Sequence, residues 1–216
     1  MTMDARIEKA QLRYEQAVFG GRTDVLSAAD RDLDAVEADL ALARGRVAHA
    51  RFLEQRVADE RELELFERAA GLYRALGDTR GEGEARFWIG AFHQVVRDDT
   101  ATALPAFEHA LALATAAGDR LTVSYARRHL GIAAHLSGRL DEARTHLEES
   151  TRLRRELGFL PGVAANLVGL AHLAARQGRP DDAAAHLREA ADLTDAPAAR
   201  GVRRWVNQAR AELATE

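Results

Sequence analysis

No cysteine occurs in the 216 residues. Disulfides, thiolate metal sites and cysteine nucleophiles are therefore excluded. Lysine is almost missing too: Lys9 is the sole lysine, and arginine supplies the remaining basic residues. Proline appears four times and β-branched residues are sparse, which argues against sheets. No run approaches the roughly 18 apolar residues that a membrane span needs. The opening MTMDARIEKAQLRYEQ carries early charges and no apolar core, so it does not read as a secretory signal. A cytoplasmic setting is the expectation. A net charge of −4 gives no general attraction to nucleic acid, and neither nucleic acid nor membrane is expected as a partner.

What the chain does contain is Ala, Leu, Arg and Glu, the better helix formers. An all-α fold follows. The apolar pattern then repeats every 40 residues. Asp98, Gly138 and Gly178 share one phase, as do Ala103, Ala143 and Ala183. Phe107, Leu147 and Leu187 share another, followed by Ala110, Ser150 and Ala190, then Leu113, Leu153 and Leu193. A weaker copy runs through Leu63, Glu67, Ala70 and Gly77 or Asp78.

Each unit reads as two helices around a glycine turn. The spacing predicts a first helix over about Thr122–Leu136, a turn at Gly138 and a second helix over about Leu140–Leu157. Glycine fits such turns because it takes φ > 0 without a Cβ clash. Asp78 and Asp119 are placed to cap the next helix. One hairpin cannot bury its own apolar stripe. Stacked copies can, and the result is a solenoid.

The register of small residues resembles the tetratricopeptide repeat family. Leu130-Gly131, Gly138, Ala143, Leu147 and Ser150 match its pattern, as do Leu170-Ala171, Gly178, Ala183, Leu187 and Ala190. Ile89-Gly90, Ala103, Phe107 and Ala110 match with one extra residue, placed at Arg97–Thr100. Repeats of forty residues imply helices longer than the family's usual ones. The resemblance implies a right-handed α-solenoid of stacked antiparallel hairpins with a C-terminal capping helix. On this reading the chain is a single domain over 1–216: a degenerate helical pair at 4–40, four repeats at 41–196, and a cap at 197–214. Pro161 and Pro197 are expected to begin helices. The cap should present Val202, Trp205, Val206, Ala209 and Leu213 on one face.

The family's geometry turns positions 2, 5, 9 and 12 of each first helix toward a concave groove. That implies Tyr125, Arg128, Ile132 and His135 in one unit, and Ala165, Val168, His172 and Ala175, with Arg176 beside them, in the next. Trp88, Phe92 and Gln94 are expected in the preceding unit, and Arg56 in the first. Arginine can grip a carboxylate or phosphate through two parallel hydrogen bonds. The expected partner is a protein or peptide segment with an acidic or carboxylate feature. The same residues also read as solvated arginines paired to neighbouring acids.

No HExxH or GxSxG occurs, and no two histidines stand four apart on a helix. No metal ligand, cofactor or catalytic residue is therefore assigned. The leading reading is a non-catalytic scaffold or adaptor. A small-ligand sensor using a closed version of the groove is the alternative, and an enzyme built on the His/Arg/Tyr cluster is a third. Leu26, Leu33 and Leu40 stand seven apart, so the N-terminal helices either pack within the chain or form a homodimer face.

Overall fold

The computed structural model describes residues 3–194 and 199–213. Among them lie ten α-helices and no strand. In chain order they are α1 (Ala5–Val18), α2 (Leu26–Gln55), α3 (Arg61–Leu76), α4 (Thr79–Ala91), α5 (Thr100–Ala116), α6 (Arg120–Leu136), α7 (Leu140–Glu156), α8 (Leu160–Arg176), α9 (Pro180–Asp192) and α10 (Arg200–Leu213). The fold is all-α and solenoid-like, built from antiparallel hairpins.

The backbone forms two compact units, residues 1–117 and 118–216. In the first, α2 pairs with α3 and α4 with α5, while α1 lies along α2. Its core gathers Leu42, Phe66, Tyr73, Ala85 and Ile89. In the second, α6 pairs with α7 and α8 with α9, and α10 covers α8 and α9. Leu147, Val163, Leu167, Leu173 and Val206 fill that core.

The turns explain the regularity. Gly118, Gly138, Gly158 and Gly178 fall at twenty-residue intervals, all with φ between 68° and 75°. At Gly138 the amide donates to His135 O at 3.0 Å, and the next amide, of Arg139, donates to Ala134 O at 2.9 Å. This paired closure satisfies the last carbonyls of the helix, and it needs a left-handed residue at its centre. Asp78, Asp99 and Asp119 then cap the following helices by accepting from backbone amides.

One turn departs from the series. The 98 position is Asp98, with φ 52°. The stretch from Gly90 to Asp98 is one residue longer than that from Gly131 to Gly138. The extra residue does not fall at 97–100. It is absorbed upstream as a π-helical turn over Phe92–Val96, where Arg97 N donates five residues back to Phe92 O at 3.2 Å. A π turn takes in one residue without ending the helix.

Two further expectations change. The boundary near residue 40 falls inside α2, a continuous helix of 30 residues. No glycine turn interrupts it, because Gly45 is helical and lies beneath Phe66; a Cβ there would stand 2.5 Å from that ring. In the capping helix, Val206 and Ala209 are buried, but Trp205 is 45% exposed and does not share their face. The expected start at Pro197 lies outside the described residues. Pro161 does sit in the first turn of α8.

Candidate binding groove

In the second unit, side chains from α6 and α8 meet the end of α10. Arg128, Ile132, His135, Val168, Gly169, His172, Arg176 and Leu213 line an open groove of about 410 Å³. Four of the nine residues singled out from sequence, Arg128, His135, His172 and Arg176, come together here. Arg128 and His135 stand two turns apart on one face of α6, and His172 and Arg176 one turn apart on α8.

Arg128 is anchored from behind by neutral groups. Its Nη1 donates to Ala165 O at 2.8 Å and to Asn166 Oδ1 at 3.0 Å. Burial pushes its pKa down to about 10, so it remains a cation at neutral pH. His135 is half-buried. Burial first, then the charge of Arg176 and of His172, holds its imidazole below the ordinary value of 6.5. His172 Nε2 lies 3.7 Å from Glu212 Oε2 of α10, which places one acid at the rim.

Behind the groove stands a second guanidinium. Arg154 of α7 is 2% exposed. Its Nη1 donates to Gly162 O at 2.8 Å and to Asn166 Oδ1 at 2.9 Å. Its Nε reaches Ser124 Oγ at 3.4 Å, and its Nη2 is buried without a partner. The guanidinium lies 5.0 Å from the Tyr125 ring and 5.6 Å from Phe159. Asn166 therefore accepts from both arginines through one oxygen, while its Nδ2 donates to Ser150 Oγ at 2.8 Å. Ser150 Oγ in turn donates to Ser124 O at 2.6 Å. No carboxylate forms an ion pair with Arg128 or Arg154 among the described residues.

Tyr125 is thus drawn away from the groove and packs on Arg154 and Phe159. The other expected site residues lie in the first unit and do not gather. Phe92 is 1% exposed and Gln94 is also buried, since the π turn rotates them into the core. Arg56 is exposed, caps α2 in the left-handed region and stacks on Phe52. Trp88 is half-buried against Phe66, Phe87 and His49, with Arg46 over its ring. Beside it His49 Nδ1 meets Glu62 Oε1 at 2.8 Å, and both residues are buried.

Sequence reasoning missed Asn166 and the support role of Arg154. The register holds the signal: Ala114, Arg154 and Thr194 occupy equivalent positions, all buried. A long cation in a slot otherwise filled by small residues requires polar company.

Tetratricopeptide repeat family models match residues 83–156 and 167–189. The chain carries tetratricopeptide repeats over these two segments. Such repeats are in general protein-interaction scaffolds. No curated protein matches this tetratricopeptide repeat chain. Among the described residues no three His, Asp or Glu side chains cluster to hold a metal ion, and no helix is long and apolar enough to cross a membrane.

Proposed function

We propose that the chain is a non-catalytic scaffold or adaptor, and that the groove of Arg128, His135, His172 and Arg176 receives a protein or peptide segment bearing an acidic or carboxylate feature. One observation carries this reading. Arg128 is fixed by neutral acceptors, and among the described residues its charge has no carboxylate partner. A preorganised guanidinium loses little freedom on meeting an anion, so more of the interaction appears as affinity. Arg176 adds a second cation at the same groove.

A small-ligand sensor is the second reading, because about 410 Å³ falls within the range of small-molecule sites. The open side of the groove favours an extended segment over an enclosed molecule. The proposal takes 1–216 as one repeat domain and sets it in the cytoplasm, without nucleic-acid or membrane partners. It also keeps a second copy of the chain, meeting the N-terminal helices, as a further partner.

The test is a displayed library of random peptides with free C-termini, selected on the immobilised full chain. Enrichment of acidic sequences, with affinity reduced at least tenfold by Arg128→Ala/His135→Ala at unchanged helicity, is the expected result. Selection without acidic bias, or affinity untouched by the double variant, refutes the proposal.

A further inference from the structure

The longest helix leaves an ordered apolar stripe in water. Leu26, Leu33, Leu40 and Val47 of α2 recur every seven residues and are 42–50% exposed. Between them lie Val36, half-buried, and the exposed Ala43, and the exposed Ala50 follows Val47. The opposite face of α2, through Ala38, Leu42, Gly45, His49 and Phe52, is the one buried in the chain's own core. A seven-residue apolar repeat on one helix is the pattern that pairs with a second helix in a left-handed coiled coil.

The charges beside the stripe identify the second helix. Asp30, Glu37, Arg44 and Arg51 also stand seven apart, along one flank. That flank is acidic in its N-terminal half and basic in its C-terminal half. Asp30, Arg44 and Arg51 make no ion pair within the chain among the described residues. Glu37 pairs with Arg68 of α3 at 2.8 Å. The other flank is engaged internally: Arg6 pairs with Asp39, and Arg46 with Glu84. The stripe also borders an open groove of about 790 Å³ against α3, lined by the apolar Ala43, Val47 and Leu65 and by charged residues among which Arg44, Arg51, Arg61 and Arg68 outnumber Asp59 and Glu64. An apolar helix with an acidic flank suits that groove, and the N-terminal half of α2 is such a helix.

We infer that α2 pairs antiparallel with α2 of a second copy. This rests on the homodimer part of the reading above and specifies its geometry. A two-fold axis midway between Leu40 and Ala43 sets Leu33 against Ala50 of the second copy, Val36 against its Val47, and Leu40 against its Ala43. From Leu33 to Ala50 every apolar position of the stripe then finds an apolar partner, while Leu26 extends past the end of the second copy's α2, and the interface closes on itself. The same register sets Asp30 opposite Arg51 and Glu37 opposite Arg44, each twice. A parallel pair would oppose Asp32 to Glu37 and Arg46 to Arg51, which are like charges. Flanking charges decide helix orientation in this way.

The absence of native cysteine makes the test direct. Sedimentation of the full chain from 1 to 100 μM is expected to give twice the chain mass at the upper end. Oxidised Leu33→Cys/Ala50→Cys is expected to run as a covalent dimer, while Ala50→Cys alone is not. The two thiols of one chain are about 25 Å apart along α2 and cannot join each other. Arg51→Glu should weaken dimerisation at least fivefold, and Asp30→Arg/Arg51→Glu should restore it. Cross-linking by Ala50→Cys alone indicates a parallel pair and overturns the inference. A dimer that the double cysteine variant fails to trap overturns it too, yet leaves the homodimer reading standing. A monomer at 100 μM removes both and leaves the peptide groove untouched.

Discussion

Arg154 donates to Asn166 Oδ1 at 2.9 Å in a core where, among the described residues, no carboxylate bonds to either. The oxygen it uses also holds Arg128. Asn166→Ala leaves the buried Arg154 and the half-buried Arg128 each short of an acceptor, which costs about 1–3 kcal/mol for the lost hydrogen bonds. Arg154→Met removes the buried charge with its desolvation penalty and fills similar space, so it should be close to neutral or stabilising. Urea unfolding of both variants checks the contrast. A larger loss for Arg154→Met than for Asn166→Ala contradicts it.

In the first unit, the buried pair His49 and Glu62 raises the same question with the opposite charge. Glu62 Oε1 meets His49 Nδ1, while Oε2 has no partner. Truncating His49 strands a carboxylate in the core. We expect His49→Leu to cost about 3–5 kcal/mol and His49→Leu/Glu62→Leu to recover most of it. A double-mutant cycle in urea measures the coupling. Additive losses would show that the two side chains do not act as a pair.

Much of this architecture was legible in the chain because small residues must recur where helices touch. Ala103, Ala143 and Ala183 are all buried, and the groove positions on α6 and α8 follow the same register. Gly90 shows why: a Cβ there would lie 2.7 Å from the Phe107 ring. The misplaced residues have local causes. A single extra residue between Gly90 and Ala103 can be absorbed at the turn or within the helix, and periodicity does not distinguish them. The π turn that resulted carried Phe92 and Gln94 into the core. Tyr125 was displaced by a partner from another helix, Arg154, whose burial is a tertiary fact.

Asp98 offers a backbone test of how the turns are built. It occupies the slot filled by glycine at 118, 138, 158 and 178, and it takes φ 52°. A left-handed conformation is strained for a residue with a Cβ and free of strain for glycine. Asp98→Gly should therefore stabilise the first unit by about 0.5–1 kcal/mol, and Gly138→Asp should destabilise the second by a similar amount. Thermal melts decide it; a loss on Asp98→Gly would mean that the aspartate side chain stabilises the turn.

The histidines of the second unit set its response to acid. His135, His146 and His186 are each held below the ordinary 6.5, with burial as the largest cause. Arg176 and His172 add to this at His135, and Arg127 at His146, while Glu189 opposes it at His186. A lowered folded pKa means that the unfolded chain binds more protons below pH 6.5. Stability is then complete above pH 6.5 and is lost as pH falls through the lowered values. Melting temperatures between pH 8 and pH 5 should decline, and replacing all three histidines with glutamine should flatten that decline. A bound carboxylate beside His135 reverses the local balance by favouring the imidazolium. Affinity for an acidic peptide should therefore rise as pH falls toward 5.5, and His135→Gln should abolish the rise. A pH-independent affinity in the unsubstituted chain would separate His135 from the groove's ligand and leave Arg128 and Arg176 to carry recognition alone.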